Sequence, residues 1–171
     1  MRLRRALDAL YDAAGVLAAL FMVGTLAMVL VGIGSRLTGW FVPGTDAYAG
    51  YCMAATGFLA LAHTFRRGEH IRVTLLLEHV GAKGRRGLEL WSLAAGTALA
   101  AAFAFYAVRL AYQSWDFNDI STGNDATPLW IPQLTMAVGG LVLAIAFLDT
   151  LVEEWHGQRV HAVPSAAMHN E

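Results

Sequence analysis

Residues 13–35, AAGVLAALFMVGTLAMVLVGIGS, run for 23 positions without a single Asp, Glu, Lys or Arg. A helix that crosses the roughly 30 Å hydrocarbon core of a bilayer needs about 20 such residues at 1.5 Å each. Three further runs of this kind follow, Ala47 to Phe65, Leu90 to Val108 and Ala126 to Leu148, of 19, 19 and 23 residues. The chain therefore reads as an all-α integral membrane protein of four transmembrane helices. Residues 1–154 form the membrane domain, and residues 155–171 are expected to be a flexible tail.

The net charge of −1 conceals a segregation of the twelve Lys and Arg residues. Arg2, Arg4 and Arg5 precede the first run, six lie between the second and third, and Arg159 is in the tail; only Arg36 and Arg109 fall on the opposite side. A chain crossing four times alternates sides, so the basic residues divide ten to two. By the positive-inside bias both termini and the loop from Arg66 to Glu89 face the cytoplasm. Asp46, Asp116, Asp119 and Asp125 leave the outer loops net negative. Such a distribution speaks for a membrane and against nucleic acid as a partner.

The first run follows a basic start, as a signal peptide would. Its 23 apolar residues exceed the usual signal core of about 7–15, and Gly34-Ser35-Arg36 is a weak cleavage sequence, so it is read as a mature helix. Cys52 is the sole cysteine and lies within the second run, where it serves as a small packing residue. No CxxC, Walker loop or HExxH occurs, so no catalytic, cofactor or metal residues are assigned. Small residues recur in the first three runs, from Gly15, Gly24, Gly32 and Gly34 to the alanines of 94–107, and they permit close helix approach within the subunit or against a larger membrane partner.

The outer connection 37–45 holds Trp40 and Phe41, suited to the headgroup zone, and a Pro43-Gly44 turn, after which Asp46 is expected to cap the second helix. The inner connection mixes apolar Ile71, Leu75 and Val80 with Arg72 and Glu78, which predicts an in-plane interfacial helix over 70–80, ended by Gly81 and Gly84. Lys83, Arg85 and Arg86 then meet the anionic inner leaflet. Arg66 and Arg72 belong to the same anchoring segment. At the outer ends of their helices, Arg36 and Arg109 are candidates for anchoring or for docking a partner. The fourth span is expected to start around Pro128, Trp130 and Pro132, since proline is tolerated in a first helical turn.

Two functional classes compete on these residues. His63 and His70 flank the inner end of the second run, which keeps a small haem- or quinone-linked membrane anchor in view, but no other run supplies a partner histidine. A solute carrier acting alone would use ionised groups or broken helices within the membrane, and the four runs contain no such group. An accessory subunit of a larger permease fits better.

The segment Arg66-Arg67-Gly68-Glu69-His70-Ile71-Arg72-Val73, after the second span, with Thr127-Pro128-Leu129-Trp130-Ile131-Pro132 before the fourth, resembles the small membrane subunit of the tripartite ATP-independent periplasmic (TRAP) transporters, the DctQ-like family. Gly68, His70, Ile71 and Val73 match the motif most directly, and Thr74 stands where many members carry an acid. The resemblance covers roughly Leu7 to Glu154. It implies a noncatalytic scaffold in a bacterial inner membrane, working with a large multi-span permease subunit, a periplasmic substrate-binding protein and membrane lipids. It implies that sodium and the solute, usually an organic carboxylate, bind in the large subunit and that this chain holds no cofactor.

Overall fold

A computed structural model of the chain describes residues 2–67 and 82–156. They form four helices: α1, Arg2–Thr38; α2, Thr45–Arg66; α3, Ala82–Asp116; and α4, Trp130–Trp155. At 1.5 Å per residue these measure about 55, 33, 52 and 39 Å. An isolated antiparallel bridge between Ile120 and Pro128 is the only extended pairing among the described residues. The expected interfacial helix over 70–80 and the tail from residue 157 lie outside the described residues.

Three helices are long and apolar enough to cross a membrane: Arg4–Thr38 within α1, Arg86–Asp116 within α3, and Trp130–Trp155. The second run is not among them. Its length suffices, but Tyr48, Tyr51, Thr56, His63 and Thr64 dilute its apolar content. The helix nonetheless packs in the middle of the molecule, between α1 and α4.

At every end but the start of α4 the helices extend past the charge-free runs. Helix α3 begins at Ala82, so residues 82–89, read as inner loop, are its first two turns, and Gly84 sits inside the helix instead of ending one. Arg86, Leu88 and Glu89 are good helix formers, and a helix leaving the bilayer need not stop where its charges begin. In the same way α1 starts at Arg2, more than two turns before the apolar run.

Close approaches set the packing register. Gly15 of α1 faces His63 of α2, Gly24 faces Cys52, and Gly32 faces Thr45, so the two helices run antiparallel. The Thr56 hydroxyl reaches the Ala18 carbonyl at 3.3 Å across this seam. Helices α2 and α4 run parallel: Gly139 lies against Phe58, and Phe65 stacks on Phe147 with centroids 4.0 Å apart. Gly139 is needed there, because a Cβ at that position would stand 2.5 Å from the Phe58 carbonyl oxygen, which cannot move independently of the α2 backbone. On α3, Ala100, Ala104, Ala107 and Ala111 form one buried stripe, and antiparallel to it α4 offers Gly140 and Ala137. Lipid offers no hydrophobic gain on pairing two apolar helices, so such small residues act by letting backbones meet and multiplying van der Waals contact.

The helices consequently lie in the order α1, α2, α4, α3, with α1 touching α4 only lightly. The first turns of α1 and α3 and the last turns of α2 and α4 share one end of the molecule, the expected inner one. The 38–45 and 117–129 connections share the other.

Candidate functional site

The inner end gathers charged side chains from three helices. Arg66 closes α2, and Asp149, Thr150 and Glu153 lie within one turn near the end of α4. Because α2 and α4 run parallel, these ends meet: the Arg66 guanidinium lies 3.1 Å from Glu153 and 3.4 Å from Asp149, and it donates to the Thr150 hydroxyl at 3.0 Å. The side chain of Arg66 keeps only 10% of its exposure and those of Asp149 and Glu153 14% and 12%. Desolvation of these charges is offset only by their mutual contact and hydrogen bonds. The Tyr11 ring from α1 stands 5.6 Å under the guanidinium, and its hydroxyl donates to Asp149 at 3.4 Å. Arg4, two turns earlier, pairs with Asp8, Asp149 and Glu153.

His63 joins the same end one turn before Arg66. Its Nδ1 lies 3.2 Å from the Tyr11 carbonyl, which can only accept, so that nitrogen carries the proton. Asp12 stands 3.5 Å from it, and Gly15 leaves just enough room for the ring. The cluster thus ties α1 and α4 to the end of α2, and its chemistry is that of a clamp in which Arg4 and Arg66 hold Asp149 and Glu153.

The outer end is organised around a single carboxylate. Asp125 accepts from the Tyr51 hydroxyl of α2 at 2.9 Å and from Ser121 at 2.8 Å. Hydroxyls of Thr127, Ser121 and Tyr51 hold the Asp125 carboxyl well below its ordinary value, at about 2. Backbone bonds from Ser121 to Thr127 and from Leu129 to Asp119 close the loop, and the Thr127 and Tyr48 hydroxyls lie 3.3 Å apart. Gly44, at φ 79°, turns the first outer connection into α2 and packs directly on Asp125, where any Cβ would collide. Gly44 itself is the N-cap and no side chain caps the helix. Asp46 does not cap, contrary to expectation; it stands inside the first turn, where its charge suits the positive helix end, and pairs with Arg36 at 3.1 Å.

The family profile described as "Tripartite ATP-independent periplasmic transporters, DctQ component" matches residues 25–157. The chain belongs to the DctQ family. It is a component of a TRAP transporter, and the match gives no support to the haem- or quinone-linked alternative. Comparison with curated proteins returns no match to this DctQ-family chain.

Of the residues singled out in the DctQ motif, Arg66 is described and is drawn inward to α4. Gly68, His70, Ile71, Arg72 and Val73 lie outside the described residues. Arg67, just past the end of α2, is exposed, as Arg109 is on α3. Pro128 forms the bridge with Ile120, Trp130 opens α4, and Pro132 falls in its first turn, where its missing N–H costs nothing. The charge-free runs conceal the partners of Arg66, since Asp149 and Glu153 stand just past the end of the fourth. A signal was present: two acids one helical turn apart at the same membrane face as an arginine that ends a span.

Proposed function

We propose that this DctQ-family chain is the noncatalytic scaffold subunit of a sodium-coupled TRAP transporter that imports an organic carboxylate or related solute across a bacterial inner membrane. The family match over residues 25–157 carries this reading. In it, the large permease subunit holds sodium and solute, a periplasmic binding protein delivers the solute, and this chain anchors the stationary part of the permease. Support comes from the runs themselves: without an ionised side chain, they offer nothing to recognise a carboxylate.

In the same proposal all four helices cross the bilayer, α2 included, with both termini in the cytoplasm. The ten-to-two division of basic residues supports this orientation, as does the alternation of helix directions. A membrane helix of modest hydropathy is tolerated between two more apolar neighbours. The segment from Arg66 to Val73 serves interface anchoring and assembly.

Copurification in mild detergent tests the scaffold role: a much larger membrane protein is expected to accompany the chain, with uptake only when that protein and a binding protein are both present. Sodium-driven uptake by this chain alone in proteoliposomes would overturn it. For orientation, Cys52 is replaced and a cysteine is placed at position 83 by Lys83→Cys. Labelling of that site from the periplasm by an impermeant reagent would overturn the topology.

A further inference from the structure

One pattern occurs twice in the chain. Residues 4–15 read RRALDALYDAAG and residues 85–96 read RRGLELWSLAAG, identical at six of twelve positions and with Glu89 in place of Asp8. Residues 58–63 read FLALAH and residues 142–147 read VLAIAF, where Leu59, Ala60 and Ala62 recur as Leu143, Ala144 and Ala146. The copies are spaced by 81 residues in the first match and 84 in the second. The added three fall in the outer connection, which is longer between α3 and α4 than between α1 and α2. We propose that the chain is a tandem repeat of one helix hairpin, α1–α2 and α3–α4, and that His63 and Phe147 are the same structural ring in its two units.

The fold brings the two matches together in the same way in both halves. Gly15, which closes the first match, faces the ring of His63, which closes the second; Gly96 and Phe147 stand at the corresponding positions and face each other likewise. A Cβ on either glycine would meet that ring, at 2.9 Å from His63 and 2.5 Å from Phe147, so each marginal helix needs its glycine to seat a flat side chain. Nothing in the sequence match requires this contact, since glycine and ring lie 48 residues apart in one unit and 51 in the other. The helix order α1, α2, α4, α3, with α2 and α4 parallel, places an approximate two-fold axis between α2 and α4 and along them. Equivalent residues line that axis alike: Ala62 and Ala146 are 1% and 0% exposed, and Phe58 against Gly139 answers to buried Val142 and Ala55. Repeats of inverted direction frame a solute site at the midplane, whereas this pair is parallel and its axis is packed with side chains. His63 is therefore a packing ring. Its Nδ1–H bond to the Tyr11 carbonyl is additional, because that carbonyl already accepts within α1.

The melting temperature of the full-length chain in mild detergent, with uptake by the assembled transporter, tests the equivalence. His63→Phe puts into the first unit the ring that the second already carries, and it is expected to melt within about 2 °C of wild type and to support the same uptake rate. His63→Ala and Phe147→Ala should each lower the melting temperature by about 5 °C or more. Gly15→Ala and Gly96→Ala should each destabilise the wild-type chain, and neither should do so once the facing ring is alanine. A loss in His63→Phe as large as in His63→Ala would overturn the equivalence, as would coupling between glycine and ring at one seat alone. So would a His63→Phe chain that melts normally but transports more slowly, because the imidazole would then have chemistry that Phe147 lacks. If the wild type itself supports no uptake, the transporter reading fails, and the melting series still decides the repeat.

Discussion

The Arg66 guanidinium meets the Glu153 carboxylate at 3.1 Å across 87 residues of chain, and both side chains are nearly closed to water. Removing Arg66 leaves Arg4 as the one remaining cation against Asp149 and Glu153, and breaking a buried pair costs about 3–5 kcal/mol in comparable sites. Arg66→Gln is therefore expected to lower the detergent melting temperature sharply. Glu153→Gln added to it should cost far less than the sum of the two single changes. A double-mutant cycle followed by thermal unfolding checks this, and simple additivity would refute the coupling.

Gly139→Ala should be the most damaging small substitution in the helix seams. The added Cβ meets the Phe58 carbonyl, so α2 and α4 must separate, at about 1–3 kcal/mol. Gly57→Ala on α2 faces open space and is expected to be neutral. Parallel melting curves of the two variants decide.

Asp125 supplies a pH signature. Its carboxyl sits at about 2 against an ordinary value of 3.8, because hydroxyls of Thr127, Ser121 and Tyr51 favour the ionised form. A depressed folded value means that the contribution is present above about pH 4 and disappears as pH falls through 2. Tryptophan emission from Trp115 and Trp130, beside this loop, is expected to change between pH 4 and 2 in the wild type. In Asp125→Asn that transition should be missing from this window.

Arg36 and Asp46 form the opposite kind of pair, with side chains 73% and 85% exposed. Exposed pairs contribute about 0–1 kcal/mol and are screened by salt. Arg36→Gln should leave the melting temperature of the subunit almost unchanged. In the assembled transporter it is expected to alter rate at most, with the ranking of competing solutes preserved; a changed ranking would mean that this subunit helps choose the solute.

The membrane class and the four helices were legible because each charge-free run is long enough for a helix, and three of the four helices are also apolar enough to cross a membrane. The helix ends were not, since a charge-free run measures the apolar part of a helix and says nothing of the turns beyond it, as at Arg2 and Ala82. Asp46 suggested a cap on residue type, but the backbone turn at Gly44 takes that place. The Arg66 clamp escaped for a different reason: its partners come from the far end of the chain, and no local spacing announces that α2 and α4 finish side by side.

Helices α1 and α3 stand at opposite margins of the α1, α2, α4, α3 row, each held chiefly along one flank. Cohesion in such an arrangement passes from neighbour to neighbour, so detaching a margin costs one seam while detaching the middle costs two. The subunit should come apart from its rims inward, and whatever grips a rim in the bilayer will reinforce the part that its own contacts secure least.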